Sequence, residues 1–558
     1  MNMPVIVCRI MVMSAVLGMA SCTSPPTADT VFSNGVIWTG DPSLPRAEAV
    51  AVSEGRIVGV GTAAEMKKHL GSNTLVIDLK GKHVLPGFID NHAHFMGGGF
   101  QLQSVDLRDA KNETAFAERI SARAAKYPDR WITGGDWDHD NWPGGKLPVR
   151  QLIDRTTPRT PVFVSRYDGH MALANTVVLK MAGVTRDTPD PPGGAIVRDP
   201  QTGEPTGILK DEAMGLVWNL VPSSSESEMI EAAELALAEA AKFGVTSIQD
   251  ISSEEYVRVY KRLQAEGKLT ARLYCRLPLS QWEKVAHQGI RAGSGDEWIK
   301  QGSMKAFADG SLGSSTALFF DPYVSDPSTR GLPSDIAIDG RLERWATAAD
   351  SAGLQLSIHA IGDSANSLVL DLYAKIVQRN PSWDRRFRIE HAQHIHPKDF
   401  SRFAELGVIA SVQPYHAIDD GRWAEGRIGQ DRCRTTYPFK TFLDNKVRLC
   451  FGSDWTVAPL NPLLGIYAAV TRRTRDGKHP DGWFPAEKIS VEEAVKAYTV
   501  NNAYAAYEEN EKGTITPGKL ADFVVLSDDV LSVDPARIPE LWVVMTVVGG
   551  AVVYIQTN

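Results

Sequence analysis

Two histidines, His92 and His94, stand one residue apart in PGFIDNHAHF, at the close of an apolar run. In an extended strand residues i and i+2 share a face, so the two imidazoles would sit side by side. Such a pair is either the start of a divalent-metal site or two structural histidines, and further ligands at other strand ends would decide between them. His359 ends LQLSIHA, His391 ends FRIEHA and Asp454 ends LCFGSD. Lys305 lies inside the apolar stretch GSMKAFADG. A buried ammonium ion is costly unless it is paired or chemically altered. These nitrogen and oxygen donors are of the kind that divalent cations take.

The elements that must carry them repeat. GVTSIQDI, ARLYCRLPL, GSMKAFADG, LQLSIHAIGD, FRIEHAQHI, GVIASVQP and VRLCFGSDW read as short buried strands, with helices such as SANSLVLDLYAKIVQ and PKDFSRFAELG between them. Repeated β-then-α units argue for a parallel sheet, and this many argue for an α/β barrel with its chemistry at the C-terminal strand ends. The spacing puts His92 and His94 on the first strand, Lys305 on the fourth, His359 on the fifth, His391 on the sixth and Asp454 on the eighth. The interval from His94 to Lys305 is too long for plain units, which predicts a large insertion over the barrel mouth at about residues 130–225. Trp137, Arg166 and His170 lie in its GGDWDHDNWPGGKLP and SRYDGHMALAN and are candidates for substrate contact, with structural loop pairing as the alternative. Lys210, also in the insertion, reads as a lid or surface residue. His394, His396 and His416 follow strand ends and read as loop residues rather than ligands.

Both ends of the chain are β-rich. Asn34-Gly35, Glu54-Gly55 and Gly549-Gly550 break alternating apolar runs and mark turns, so the termini are expected to meet in one sheet domain. The expected organisation is a leader at 1–22, a tether at 23–30, sheet strands at 31–85, the barrel at 86–505 and the rest of the sheet domain at 506–558. The leader has a short apolar stretch, one positive side chain (Arg9) and MASC before a Pro-containing tether, which resembles a bacterial lipoprotein signal lipidated at Cys22. It predicts the cell envelope, with lipid at one end as the membrane contact. An ordinary secretory signal is the alternative. No other stretch is long and apolar enough to span a bilayer.

With 558 residues, 43% of them hydrophobic and 23% charged, the chain can bury a large core. A net charge of -8 provides no basic footprint for nucleic acid. The partner expected is a small-molecule substrate, and a homo-oligomer is allowed. Cys8, Cys22, Cys275, Cys433 and Cys450 show neither CxxC pairs nor regular spacing, which excludes a zinc finger or a disulfide framework.

The ordered words LPGFIDNHAHF, MKAFADGSLGSSTA, SIHAIGD, IEHAQHI, SVQP, FGSDW and GTITPGKLADFVVL resemble the metal-dependent amidohydrolase superfamily. The similarity is nearest to its family 3, the YtcJ-like or N-substituted formamide deformylase-like group, and runs from about residue 31 to the end. The resemblance implies a (β/α)8 barrel with a composite β-sandwich from both termini. It also implies one or two divalent metals, zinc being favoured by histidine-rich ligation. His92, His94 and Asp454 would hold the more buried metal, and His359 and His391 a second, or the same one jointly. Lys305 matches a lysine that many members carry carboxylated by CO2 as a bridge; an unmodified lysine paired with Asp309 is the alternative. Asp454 would take a proton from a metal-activated water and return it to a leaving nitrogen, hydrolysing an amide, formamide, carbamate or related non-peptide C–N bond. The competing readings are a single-metal deaminase of a cyclic amidine, with Asp363 near the fifth strand, and a non-catalytic envelope lipoprotein that binds a ligand. No GxSxG elbow supports a serine nucleophile.

Overall fold

In the computed structural model, residues 26–557 are described apart from 129, 140–141, 167–170 and 192–193. Eight parallel strands form its centre: β1 (Phe88–Ala93), β2 (Val245–Ile251), β3 (Arg272–Pro278), β4 (Ile299–Phe307), β5 (Gln355–Ala360), β6 (Arg388–His391), β7 (Ile409–Val412) and β8 (Leu449–Phe451), each beside the next. The ring closes where Ala93 pairs with Trp455. Across that seam the His94 N–H donates to Trp455 O and the Asp454 N–H to His92 O, both at 2.7 Å. Period-two alternation sorts the strands into an inner and an outer face. On β5, Gln355, Ser357 and His359 make polar contacts inside the barrel, while Leu356 and Ile358 join the apolar core beneath the helices.

The first β/α unit is split. Helices Phe95–Gln103 and Glu226–Lys242 pack on each other, and a Cβ at Gly99 would lie 2.1 Å from Ala232 O, so only glycine permits this approach. Glu226–Lys242 opens with a capping box: Ser225 accepts from the Glu228 N–H, and the Glu228 carboxylate accepts from the Ser225 N–H at 2.8 Å. Between these helices lies a separate sheet with the order Gly194–Arg198, Pro205–Asp211, Met171–Ala174, Phe163–Arg166, Gly135–Trp137. Helix Glu113–Lys126 buries Phe116, Ile120 and Ala124 in that unit's core, which also takes in Val105 and Leu107. The insertion therefore begins near Val105, earlier than the expected 130, because this amphipathic helix serves the inserted sheet and not the barrel.

The termini build a two-sheet sandwich. One sheet runs Arg56–Gly61, Ala49–Ser53, Thr30–Ser33, Leu75–Asp78; the other runs Ala551–Ile555, Val543–Val548, Phe523–Leu526, His83–Pro86, Val36–Trp38, Arg46–Ala47. Phe32 and Phe523 meet edge to face across it, 4.8 Å between centroids. Ala28 is already buried and a strand starts at Thr30, so the sandwich begins slightly before the expected end of the tether. Arg272, at the start of β3, pairs with both oxygens of Asp522 at 2.7 and 3.0 Å and ties the sandwich to the barrel floor. Among the described residues no helix is long and apolar enough to cross a membrane. The leader with Cys22, and His170, lie outside the described residues.

Candidate active site

Six residues singled out at strand ends or within strands, His92, His94, Lys305, His359, His391 and Asp454, line one cavity of about 400 Å³ at the C-terminal ends of the strands. His92 Nε2 and His94 Nε2 stand 3.6 and 3.4 Å from Asp454 Oδ1. Donor atoms of His92, His391 and Asp454 all lie within 4.8 Å of one another, a spacing that one metal ion could bridge. The His391 ring is 4.9 Å from that of His92 and 4.4 Å from that of His359, so it stands between the two groups of ligands that the family resemblance implies.

Local backbone aims these side chains. His391 and Ala392 have φ of 72° and 40°, and Asp454 has 57°, left-handed values that side chains other than glycine adopt at a cost. At β6 the turn breaks the alternation, so that Glu390 and His391, consecutive in sequence, both face inward. His94 directly follows β1 as the N-cap of Phe95–Gln103, and its side chain is 43% exposed at the rim.

The hydrogen-bond partners select which ring nitrogens face the cavity. His92 Nδ1 bonds Glu390 Oε2, and His391 Nδ1 lies 2.8 Å from Gln413 Oε1, which leaves each Nε2 to the cavity. His359 is held the other way round, Nε2 being 3.0 Å from Gly310 O, so its Nδ1 is the free donor. Burial, reinforced by Lys305, pushes His92 down to about 3, and burial with the neighbouring imidazoles depresses His391 as well, so both rings stay neutral and able to ligate. Burial works against the Asp454 carboxylate, but its contact with His94 lowers its pKa and the group stays ionised. Burial also pushes Lys305 down to about 7. Its Nζ is buried without a hydrogen-bond partner, as is Asp454 Oδ1. Asp309, the alternative partner for that lysine, instead accepts from the N–H groups of Leu318, Ile361 and Gly362. Neutral imidazoles and an orphaned carboxylate oxygen are what a divalent-cation centre requires, and the donor set fits one.

Of the substrate-contact residues expected in the insertion, Trp137 and Arg166 do not line the cavity, and His170 lies outside the described residues. Trp137 is fully buried against Phe116 and Trp142, and its Nε1 donates to Val164 O at 2.9 Å. That ring fills the inserted unit's core and forms no wall of the cavity. Arg166 is buried 3.2 Å from Asp138 in the same unit. None of the insertion's described residues lines the cavity, which is bounded instead by Phe307, Leu312 and Ile361 on one side and His416, Asp419, Asp420 and Trp423 on the other. The second group follows β7, within HAIDDGRW, and the concentration of ionisable residues there was the available clue. His394 is buried outside the cavity with Nδ1 2.7 Å from Thr436 Oγ1. Asp363 accepts from the Phe320 N–H and also stands outside it.

The sequence profile of the amidohydrolase family matches residues 75–554. Protein LONG AFTER FAR-RED 3 of Arabidopsis thaliana is 41% identical over 521 residues, covering 90% of this chain and 88% of that protein. The N-substituted formamide deformylase of Arthrobacter pascens is 28% identical over 95% of this chain and 99% of its own length. An uncharacterized metal-dependent hydrolase from Pyrococcus horikoshii superposes with a TM-score of 0.76 at 28% identity, over 91% of this chain and 99% of that one. A closed eight-strand barrel with metal-type donors at its strand ends, matched along nearly its whole length by this profile, places the chain in the amidohydrolase family.

Proposed function

We propose that the protein hydrolyses an uncharged amide, formamide or carbamate carrying an apolar substituent on nitrogen. The observation that carries this reading is the cluster of His92, His391 and Asp454 at the floor of a cavity whose lining, among the described residues, has Lys305 as its one lysine or arginine. His92, His391 and Asp454 would hold a divalent cation, with His94 and His359 beside them. Bound there, the cation would supply Lewis acidity toward a carbonyl and lower the pKa of a water molecule. Asp454 Oδ1, unpartnered and facing the cavity, takes the proton of the attacking water and returns it to the leaving nitrogen as the C–N bond breaks. The products are an amine and a carboxylic acid, or, from a carbamate, an amine and a carbonic half-ester that breaks down to CO2 and an alcohol. Lys305, depressed and unpartnered, suits reaction with CO2: its neutral amine would gain a carboxyl group and lose a proton, becoming an anion that cations can share. Phe307 and Val457, 45% and 71% exposed on the cavity lining, offer the apolar surface for the substituent. The name of the Arthrobacter relative points to the same substrate class. The proposed setting is the cell envelope, from the leader sequence.

The test is a panel of uncharged N-alkyl and N-aryl amides, formamides and carbamates, with release of the amine followed. Turnover is expected on part of the panel, lost on chelation and restored by a divalent ion. Release of ammonia from ring amidines with no turnover of the panel would favour a deaminase instead.

A further inference from the structure

The floor beneath the cavity is charged where barrel interiors are usually filled by branched apolar side chains. Glu390, Arg276 and Arg388 are there, all fully buried. Glu390 Oε1 lies 2.9 Å from Arg276 Nη1, 2.9 Å from Arg388 Nε and 2.6 Å from Ser357 Oγ. Its Oε2 accepts from Ser411 Oγ at 2.7 Å and bonds His92 Nδ1. These contacts come from β1, β3, β5, β6 and β7 and leave the carboxylate no freedom to rotate. Burying such a cluster is expensive, and apolar residues of similar volume would serve stability equally well or better. Orientation is what it supplies.

We propose that Glu390 is the positioning residue for His92. Clamped by the two guanidinium groups, it fixes the ring as the Nδ1–H form with the Nε2 lone pair toward the cavity, and its charge makes that nitrogen a stronger metal donor. His391 is pinned in the same sense but only by the neutral amide of Gln413. The His92 side of the centre is therefore the tighter one. The inference rests on the reading of the cavity as a metal centre. Carboxylates that hold a ligating imidazole from behind typically contribute about 10–100-fold to metal affinity.

The test is competition of Zn2+ against a chromophoric chelator on the metal-stripped full chain. Glu390→Gln is expected to raise the Zn2+ Kd by about 10–100-fold, and Gln413→Leu by less than about tenfold. Glu390→Gln leaves two buried cations uncompensated, so R276M/R388M/E390Q covers a failure to fold, with the same loss expected. The thermal midpoint of the metal-free triple variant should match that of the metal-free wild type, which separates positioning from stability. Wild-type affinity in either Glu390 variant, or a larger loss in Gln413→Leu, overturns the proposal while leaving the metal centre intact. A wild-type chain that takes up no Zn2+ removes the metal reading, and this one with it.

Discussion

In the proposed hydrolysis Asp454 is the proton acceptor and donor; it stands close to both His92 and His94 with one oxygen unpartnered. Asp454→Asn keeps the shape and removes the basicity, so kcat should fall by about 10²–10⁴-fold with the circular dichroism unchanged. A variant that turns over at the wild-type rate would take Asp454 out of the proton path. Six of the cavity residues were legible in the sequence because each is an ionisable group at the end of, or inside, an apolar strand. Glu390 was not. It directly precedes His391, so strict alternation would point one of the pair away from the barrel, and the left-handed φ of 72° that brings both inside has no signature in residue type. Trp137 shows the converse error. An aromatic residue among glycines reads as a pocket wall, but its ring is taken up by packing against Phe116 and Trp142.

The seam between β1 and β8 carries both ends of the donor set, and it depends on close packing by the helix that follows β1. A Cβ at Gly98 would lie 2.3 Å from the Trp455 ring, whereas one at Gly97 would meet nothing nearer than 3.5 Å. Gly98→Ala should therefore cost about 1–3 kcal/mol in thermal or urea unfolding, with Gly97→Ala near neutral or slightly stabilising. Equal effects would mean that Trp455 gives way freely. The loop after β6 carries a pH dependence. Burial pushes His394 down to about 3, while the unfolded chain binds a proton below about 6.5. Its contribution is full above that pH and is lost as the pH falls toward 3, by up to about 1.4 kcal/mol per pH unit. Urea midpoints at pH 7, 6 and 5 should fall less steeply in His394→Asn than in the wild type, and parallel slopes would contradict this. Strand order and the gathering of the six strand-end residues around one cavity followed from period and spacing. The N-terminal edge of the insertion did not, because helix Glu113–Lys126 has the same amphipathic pattern whether its apolar face meets the barrel or the inserted sheet.

The chain joins three bodies with separate tasks. The barrel holds the donors, the sandwich closes both termini onto its floor through Arg272 and Asp522, and the inserted unit keeps its own core outside the described cavity wall. The β-rich ends announced the sandwich in sequence, since alternating apolar runs at both termini have to find each other to bury their faces. Cavity shape was less accessible, because its walls come from the loop after β4 and the helix after β7, which share no periodicity. The most direct test is elemental analysis of the full chain purified without added metal or chelator. The proposed centre predicts at least about one tightly held divalent ion per chain, rising to about two where a carboxylated Lys305 is shared between cations, and lost when His92 and Asp454 are replaced together. A chain that holds essentially no divalent metal, before or after reconstitution, would contradict it.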